Sequence, residues 1–350
     1  MLLLRLPLSR EPHLMPTSRR VVLAARPDGI PQAEHFRIEA YEPADLKPGE
    51  ILVRNQFLSV EPAMRGWVSA VANYAQPVGI GEVMRSFASG EVVASNHPGY
   101  APGDRVTGMF GWQEMAVVPA SAVSRKVTES DLPLSTSLGV LGLNGITAYF
   151  GLLDVGQPKP GDTVVVSTAS GSVGSAVGQI AKIMGCRTVG IAGGKDKVRQ
   201  CLEDFGYDAA IDYKAVNDIA AAVAKACPGG VDVYFDNTSG PISDAVLPNL
   251  AMGARVVICG TASISSWDPW PTGPRPERHL LVRRARMQGV LAFDYAHRYG
   301  EALARLAGWI RSGQLRYAED ILDGLEAAPD AIASLYRGDN RGKRLIRLHG

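Results

Sequence analysis

Gly171, Gly174 and Gly178 fall three and four residues apart where an apolar run, 163–167, gives way to a helical pattern. Val173, Val177, Ile180, Ala181 and Met184 keep helix spacing after that turn. Glycines at a strand-to-helix turn let the backbone approach a partner within contact distance. The helix that follows offers free N–H groups at its positive end, which is where an anion is held. A dinucleotide pyrophosphate is the usual anion, and a strand before and a helix after are the context that supports it. The competing reading is a turn eased by glycine with no ligand.

The next strand–helix junction bears on which dinucleotide. A strand at 188–192 runs into Gly193 and Gly194, so glycine stands where an NAD-preferring chain carries a ribose-binding acid. Lys195, Lys197 and Arg199 follow at the start of a helix, against its dipole. A bound anion removes that conflict, and the extra phosphate of NADP is such an anion. The alternative is a solvated first turn capped by Asp196.

These motifs need elements to hold them. Residues up to 145 suggest strands at 20–25, 36–42, 50–59, 91–94, 104–109 and 114–119. Turn signals separate them, such as Pro27-Asp28-Gly29 and Lys47-Pro48-Gly49. Strand–turn alternation without long helices suggests a partly open β-barrel. A helix near 138–153 leads to a boundary turn at Lys159-Pro160-Gly161-Asp162. Strands at 163–167, 188–192, 231–235, 255–259 and 286–291 then alternate with helices at 173–184, 196–205, 217–226, 241–250 and 299–312. That alternation implies an α/β, doubly wound parallel sheet. The tail returns to short strands with one helix near 329–336, and is expected to rejoin the first domain. The expected division is 16–145 with 315–350, and 146–314. Residues 1–15 read as an extension preceding a natural start at Met15, or else as a short ordered arm.

At 350 residues the chain has length for two cores. Lysines and arginines number 36 against 35 acids, so no net field favours nucleic acid. No apolar stretch reaches membrane-spanning length. Cys186, Cys201, Cys227 and Cys259 lack close metal-ligand spacing and read as reduced thiols of a cytoplasmic protein.

Several longer stretches carry a resemblance. They include Leu58-Ser-Val-Glu-Pro-Ala-Met-Arg-Gly66, Thr147-Ala-Tyr-Phe-Gly-Leu-Leu153, Tyr234-Phe-Asp-Asn237, Ile258-Cys-Gly260 and Gly338-Asp-Asn-Arg-Gly-Lys343. From about Arg20 to Leu348 the chain resembles the zinc-independent medium-chain dehydrogenase/reductases. More narrowly it is similar to their leukotriene/prostaglandin reductase group and its curcumin-reductase-like bacterial members. The resemblance implies a GroES-like barrel completed by the tail, a Rossmann domain, NADPH between them, and a homodimer. It implies reduction of a carbon–carbon double bond conjugated to a carbonyl, with an enone or enal as substrate. It also implies that Ser170, Gly171, Ser172, Val173 and Gly174 form the pyrophosphate loop. Gly193, Lys197 and Tyr213 would serve the adenosine end. Asn237, Cys259, Gly260, Thr261, Ser263 and Asn340 would make further cofactor contacts, with Thr147 beside the nicotinamide. Zinc-dependent relatives need a cysteine in the barrel; this region has none, and His97 sits in a turn-like Asn-His-Pro.

The same resemblance exposes a departure. Related chains place tyrosines after the Leu-Ser-x-Asp-Pro motif and after the Cys-Gly turn. Here Ala63 holds the first place, and 259–267 contains no tyrosine. Tyr74, Tyr295 and Ser265 remain as candidate hydroxyls for the substrate carbonyl. Quinone reduction, and cofactor binding with little turnover, are the alternative functions.

Overall fold

The computed structural model describes residues 17–70, 75–264 and 269–348. The readings for residues 1–15, Tyr74 and Ser265 lie outside that set. In chain order the first strands are β1 Ser18–Leu23, β2 Phe36–Tyr41, β3 Glu50–Ser59, β4 Ala88–Ser95, β5 Arg105–Gly108, β6 Met115–Pro119 and β7 Val123–Lys126, with a short helix, α1 Met64–Trp67. Helix α2, Leu143–Phe150, leads to β8 Thr163–Ser167, α3 Ser172–Ile183, β9 Arg187–Ala192, α4 Lys195–Glu203, β10 Ala209–Asp212 and α5 Ile219–Ala226. Then come β11 Val231–Asp236, α6 Gly240–Val246, β12 Leu250–Ile258, α7 Glu277–Arg283, β13 Arg286–Gly289 and α8 Tyr299–Arg311. The tail holds β14 Glu319–Asp323, α9 Ala328–Arg337 and β15 Lys343–Arg347.

One sheet runs β14-β15-β3-β4-β5-β7, with β6 also on β3, while β1 and β2 pair separately. The tail enters this sheet because β15 lies antiparallel to β3, Leu345 opposite Ser59 and Ile346 opposite Leu58. Leu325, Ile332 and Ile346 then share one buried core with Ile51, Met64, Phe110 and Trp112. The second sheet is parallel throughout, in the order β10-β9-β8-β11-β12-β13. Its central strands are buried on both faces, so β8 and β11 read as continuous apolar runs rather than alternating ones.

Several boundaries differ from the sequence reading. Strands β7 and β10 were not expected; Val-Ser-Arg-Lys and Ala-Ala-Ile-Asp are short and carry few β-formers. Helix α2 begins only at Leu143, because 134–138 forms a tighter turn and Gly139 leaves helical backbone. The expected helix at 241–250 stops at Val246, where Pro248 permits only a 3₁₀ turn. Helix α7 has no buried residue, so no apolar stripe announced it. Among the described residues no helix is long and apolar enough to cross a membrane.

Gly178 shows how tightly the parallel sheet is covered. A Cβ there would lie 2.2 Å from the Tyr207 ring. That ring is buried, and its hydroxyl donates to the Gly174 carbonyl at 2.7 Å. The third glycine of the motif therefore serves the packing of α3 against the segment between α4 and β10, not a ligand. Gly178→Ala should lower stability by about 2–3 kcal/mol, as overpacking of a rigid core does. Urea unfolding checks this; an unchanged midpoint would contradict the packing account.

Candidate active site

The strand order of the parallel sheet reverses between β8 and β11, which opens a crevice at their carboxyl ends. Phe235 pairs with Val166, and Asp236 with Ile258, so the ends of β8, β11 and β12 lie side by side. Each leads into a segment singled out by sequence: Ser170 to Gly174, then Asn237, then Cys259 to Ser263. Thr168 turns the chain with φ of 52°. A Cβ on Gly174 would come within 2.3 Å of the Thr168 carbonyl, and one on Gly171 within 2.9 Å of the Thr168 side chain. Only glycine allows this closeness. No side chain caps α3, whose residue before the first turn is Gly171. Its first N–H groups are thus available to an anion.

A buried carboxylate organises the neighbouring turns. Asp236 Oδ1 accepts from the backbone N–H groups of Thr238 (2.9 Å) and Ser239 (2.8 Å) and from the Tyr234 hydroxyl (3.0 Å). The hydroxyls of Ser167 and Thr238 lie 3.2 Å from the same oxygen. Its second oxygen is buried without a partner among the described residues. The Asp236 carbonyl takes the N–H groups of Cys259 and Gly260. Asn237 is fixed from both ends by Ser167, through its N–H at 2.8 Å and its side-chain amide at 2.7 Å. Ser263 Oγ donates to the carbonyls of Thr238 and Ser239, locking the 260–263 turn onto the first. Burial, with Asp236 nearby, pushes the Cys259 thiol up to about 12. It is therefore a neutral packing group at physiological pH, not a nucleophile.

At the far side of β9 the ring of Tyr213 lies against Gly193, where a Cβ would sit 2.8 Å from it. Helix α4 starts from the backbone of Gly194, whose N–H donates to Asp212 Oδ1 at 2.8 Å. Asp196 is not its cap, contrary to one sequence reading; it pairs with Arg199 at 3.1 Å and Arg341 at 3.3 Å. Lys197 is partly buried and makes no ion pair or hydrogen bond among the described residues. Burial and the nearby Lys214 hold its ammonium below the ordinary lysine range. It borders a groove of about 330 Å³ whose lining mixes Arg199 and Arg341 with Asp196, Glu203 and Asp204. An anion against the ammonium would offset the Lys214 repulsion and favour the charged form.

Three further sequence candidates are placed elsewhere. Thr147 donates to the Leu143 carbonyl of its own helix, one turn from Asn144. Asn340 donates to the Gly342 carbonyl at 2.7 Å in the turn before β15. Tyr295 stacks on Phe150, ring centroids 4.5 Å apart, and burial raises its hydroxyl above the usual tyrosine range. Ala63 precedes α1 and packs on the first core. The Pro62 carbonyl beside it accepts from the Tyr336 hydroxyl at 2.9 Å, a contact the sequence did not announce. Asp236 was also missed, although it lay inside the quoted Tyr-Phe-Asp-Asn; a carboxylate hidden in an apolar strand was the available signal.

Residues 19–126 match a domain family described as the N-terminal domain of oxidoreductase, and 172–308 match one described as zinc-binding dehydrogenase. The chain is 44% identical to the NADPH-dependent curcumin reductase of Escherichia coli, over 95% of this chain and 97% of that one. It is 45% identical to a Bacillus subtilis protein described as a putative NADP-dependent oxidoreductase, over 95% and 98%. The crystal structure of CurA from Vibrio vulnificus in complex with NADPH superposes with a TM-score of 0.89, at 43% identity, covering 95% and 99%. The chain belongs to the medium-chain dehydrogenase/reductases. Despite the description of its second domain family, no group of three or more His, Cys, Asp or Glu among the described residues could hold a metal ion.

In this medium-chain reductase the Asp236 carboxylate ties β11 to the turn that follows and, through its backbone, to 259–260. Asp236→Ala strands several buried donors, so a loss of about 3 kcal/mol is expected. Thermal and urea unfolding report it. Wild-type stability in the variant would show that those donors find other partners.

Proposed function

We propose that this protein is an NADPH-dependent reductase of the carbon–carbon double bond in α,β-unsaturated ketones and aldehydes. The observation that carries the cofactor assignment is Lys197, a partly buried ammonium with no ion pair among the described residues, beside a junction where glycines replace the ribose-binding acid. The acceptor class is supported by likeness to curcumin reductase along nearly the whole chain. The proposed cofactor contacts are those the resemblance implies, and the shared edge of β8, β11 and β12 supports the ones at 170–174, 237 and 259–263. Ser170, Gly171, Ser172, Val173 and Gly174 hold the pyrophosphate; Gly193, Lys197 and Tyr213 hold the adenosine end. Asn237, Cys259, Gly260, Thr261, Ser263, Asn340 and Thr147 line the remainder toward the nicotinamide.

NADPH, when bound, supplies the hydride that the substrate β-carbon receives. The chain's own tasks are alignment, polarisation and exclusion of water. Reacting atoms must be held about 3–3.5 Å apart. The carbonyl oxygen needs donors as negative charge develops on it, and the α-carbon needs a proton. Tyr74, Tyr295 and Ser265 are the proposed hydroxyls for these last two tasks.

We also propose a homodimer and a cytoplasmic setting. Among the described residues strand β13 has β12 on one side and no strand on the other, and exposed Leu281 and Val282 on the helix before it add apolar surface, which supports pairing with a second copy. The four cysteines are unbonded, as in a reducing compartment.

Two measurements test this reading. NADPH oxidation should accelerate with enones and enals well above the rate without an acceptor. Acceleration by quinones alone would transfer the protein to quinone reduction, and no acceleration with intact cofactor binding would make it a binding protein. Separately, Lys197→Ala should weaken NADPH about tenfold or more, the scale of a lost charge-assisted hydrogen bond, while leaving NADH within about twofold. Equal weakening of both would reject the phosphate-reading role.

A further inference from the structure

A buried ion pair ties the tail to the end of β3 and faces α2, and the tail and α2 both carry proposed cofactor residues. Lys343, the first residue of β15, sends its ammonium to the end of β3. It donates to Glu61 Oε1 at 2.6 Å, to Ser59 Oγ at 2.7 Å and to the Val60 carbonyl at 3.1 Å. The Lys343 and Glu61 side chains are only 4% and 11% exposed. Ser59 Oγ completes the triangle by donating to Glu61 Oε1 at 2.7 Å. The other Glu61 oxygen faces α2, where the Asn144 side-chain amide lies 3.4 Å away. Asn144 Oδ1 is buried without a partner among the described residues. The stem of Lys343 passes Gly139, where a Cβ would come within 3.3 Å of Cγ. Beyond it a cavity of about 10 Å³ is shared by Lys343, Glu319, Ser172 and Ser175.

Burying two charges costs several kcal/mol of desolvation, roughly per ion, and an apolar pair of the same volume is often no less stable. Stability alone is therefore a poor reason for this arrangement. Its directional bonds do something an apolar pair cannot: they fix three backbones at one mutual separation. Glu61 ends the β3 segment. Asn144 lies one turn before Thr147 on α2. Lys343 follows Asn340 by three positions and faces Ser172, the first residue of α3, across the small cavity. Burial pulls the Lys343 ammonium below the ordinary lysine range, with Glu61 and Glu319 opposing it. Burial raises the Glu319 carboxyl, while Ser135 and Lys343 act the other way.

We propose that Glu61, Lys343 and Asn144 form a positioning cluster that sets the separation of α2, the tail and the pyrophosphate loop, and through it the affinity for NADPH. The cluster acts through Thr147, Asn340 and Ser172, so the inference rests on the cofactor placement proposed above. Five variants test it, with NADPH affinity measured by fluorescence titration below the unfolding transition and Tm measured alongside. Glu61→Gln and Lys343→Met each leave one buried charge unpaired, and should lower Tm and weaken NADPH by about tenfold. The double variant Glu61→Gln/Lys343→Met removes both charges of the pair. It should regain most of the lost Tm but not the affinity. Glu61→Asp keeps the charge pair and should hold affinity within about threefold of wild type, because a carboxylate is retained opposite the ammonium. Asn144→Ala removes the α2 arm alone and should weaken NADPH several-fold with Tm little changed.

Recovery of both Tm and affinity in the double variant would show a structural pair and overturn the proposal. Wild-type affinity in Asn144→Ala would overturn it as well, and that variant decides alone should the double variant not fold. Lys197→Ala is the control. If it also leaves NADPH binding unchanged, the cofactor placement itself falls. If it weakens NADPH while the cluster variants do not, only the positioning proposal falls.

Discussion

A cation kept partly out of water with no ion-pair partner among the described residues is an unfinished interaction, and the start of α4 carries one in Lys197. Lys197 sits in the first turn of α4, where the helix dipole already disfavours it. Lys214 adds to the conflict, and Asp196, the nearest acid in sequence, is engaged by Arg199 and Arg341. Folding accepts this cost at one point of the surface. On the proposed reading a phosphate offsets that cost, which would make the same feature a source of affinity and of selectivity.

The remainder of the crevice works by closeness rather than charge. Glycine at 171 and 174 brings the backbone of the first turn of α3 against Thr168, and Gly193 admits the Tyr213 ring. Asp236 then holds the turns after β11 and β12 as one piece, through its carboxylate on one side and its carbonyl on the other. The parallel register of β8, β11 and β12 puts all three turns at one edge. Position is thus set by the sheet, and fine geometry by buried polar contacts that leave few alternatives.

Much of this was legible in the amino-acid sequence, and the limits have physical reasons. The β8–α3 unit announced itself because a fully apolar strand, a glycine turn and a helical stripe follow one another within a few residues. The glycines at 193–194 and the lysines after them were readable for the same reason. Short edge strands were not: β7 and β10 have little apolar content, and their pairing partners decide their conformation. Helix α7 has no fully buried residue and left no periodic trace. Gly178 looked like part of the ligand loop, yet its neighbour is Tyr207, whose hydroxyl reaches Gly174 across 33 positions of sequence. The Glu61–Lys343 pair spans 282 positions, and no local pattern links such residues. Local chemistry was visible, whereas contacts made only by folding were not.

The central claim is that the adenosine end reads a phosphate on the ribose. Titration calorimetry of the wild-type protein with 2′,5′-ADP and with 5′-ADP tests it without the nicotinamide or any substrate. The account predicts that 2′,5′-ADP binds about tenfold or more tightly, with the advantage shrinking as salt rises. Equal affinity for the two nucleotides, or preference for 5′-ADP, would contradict it.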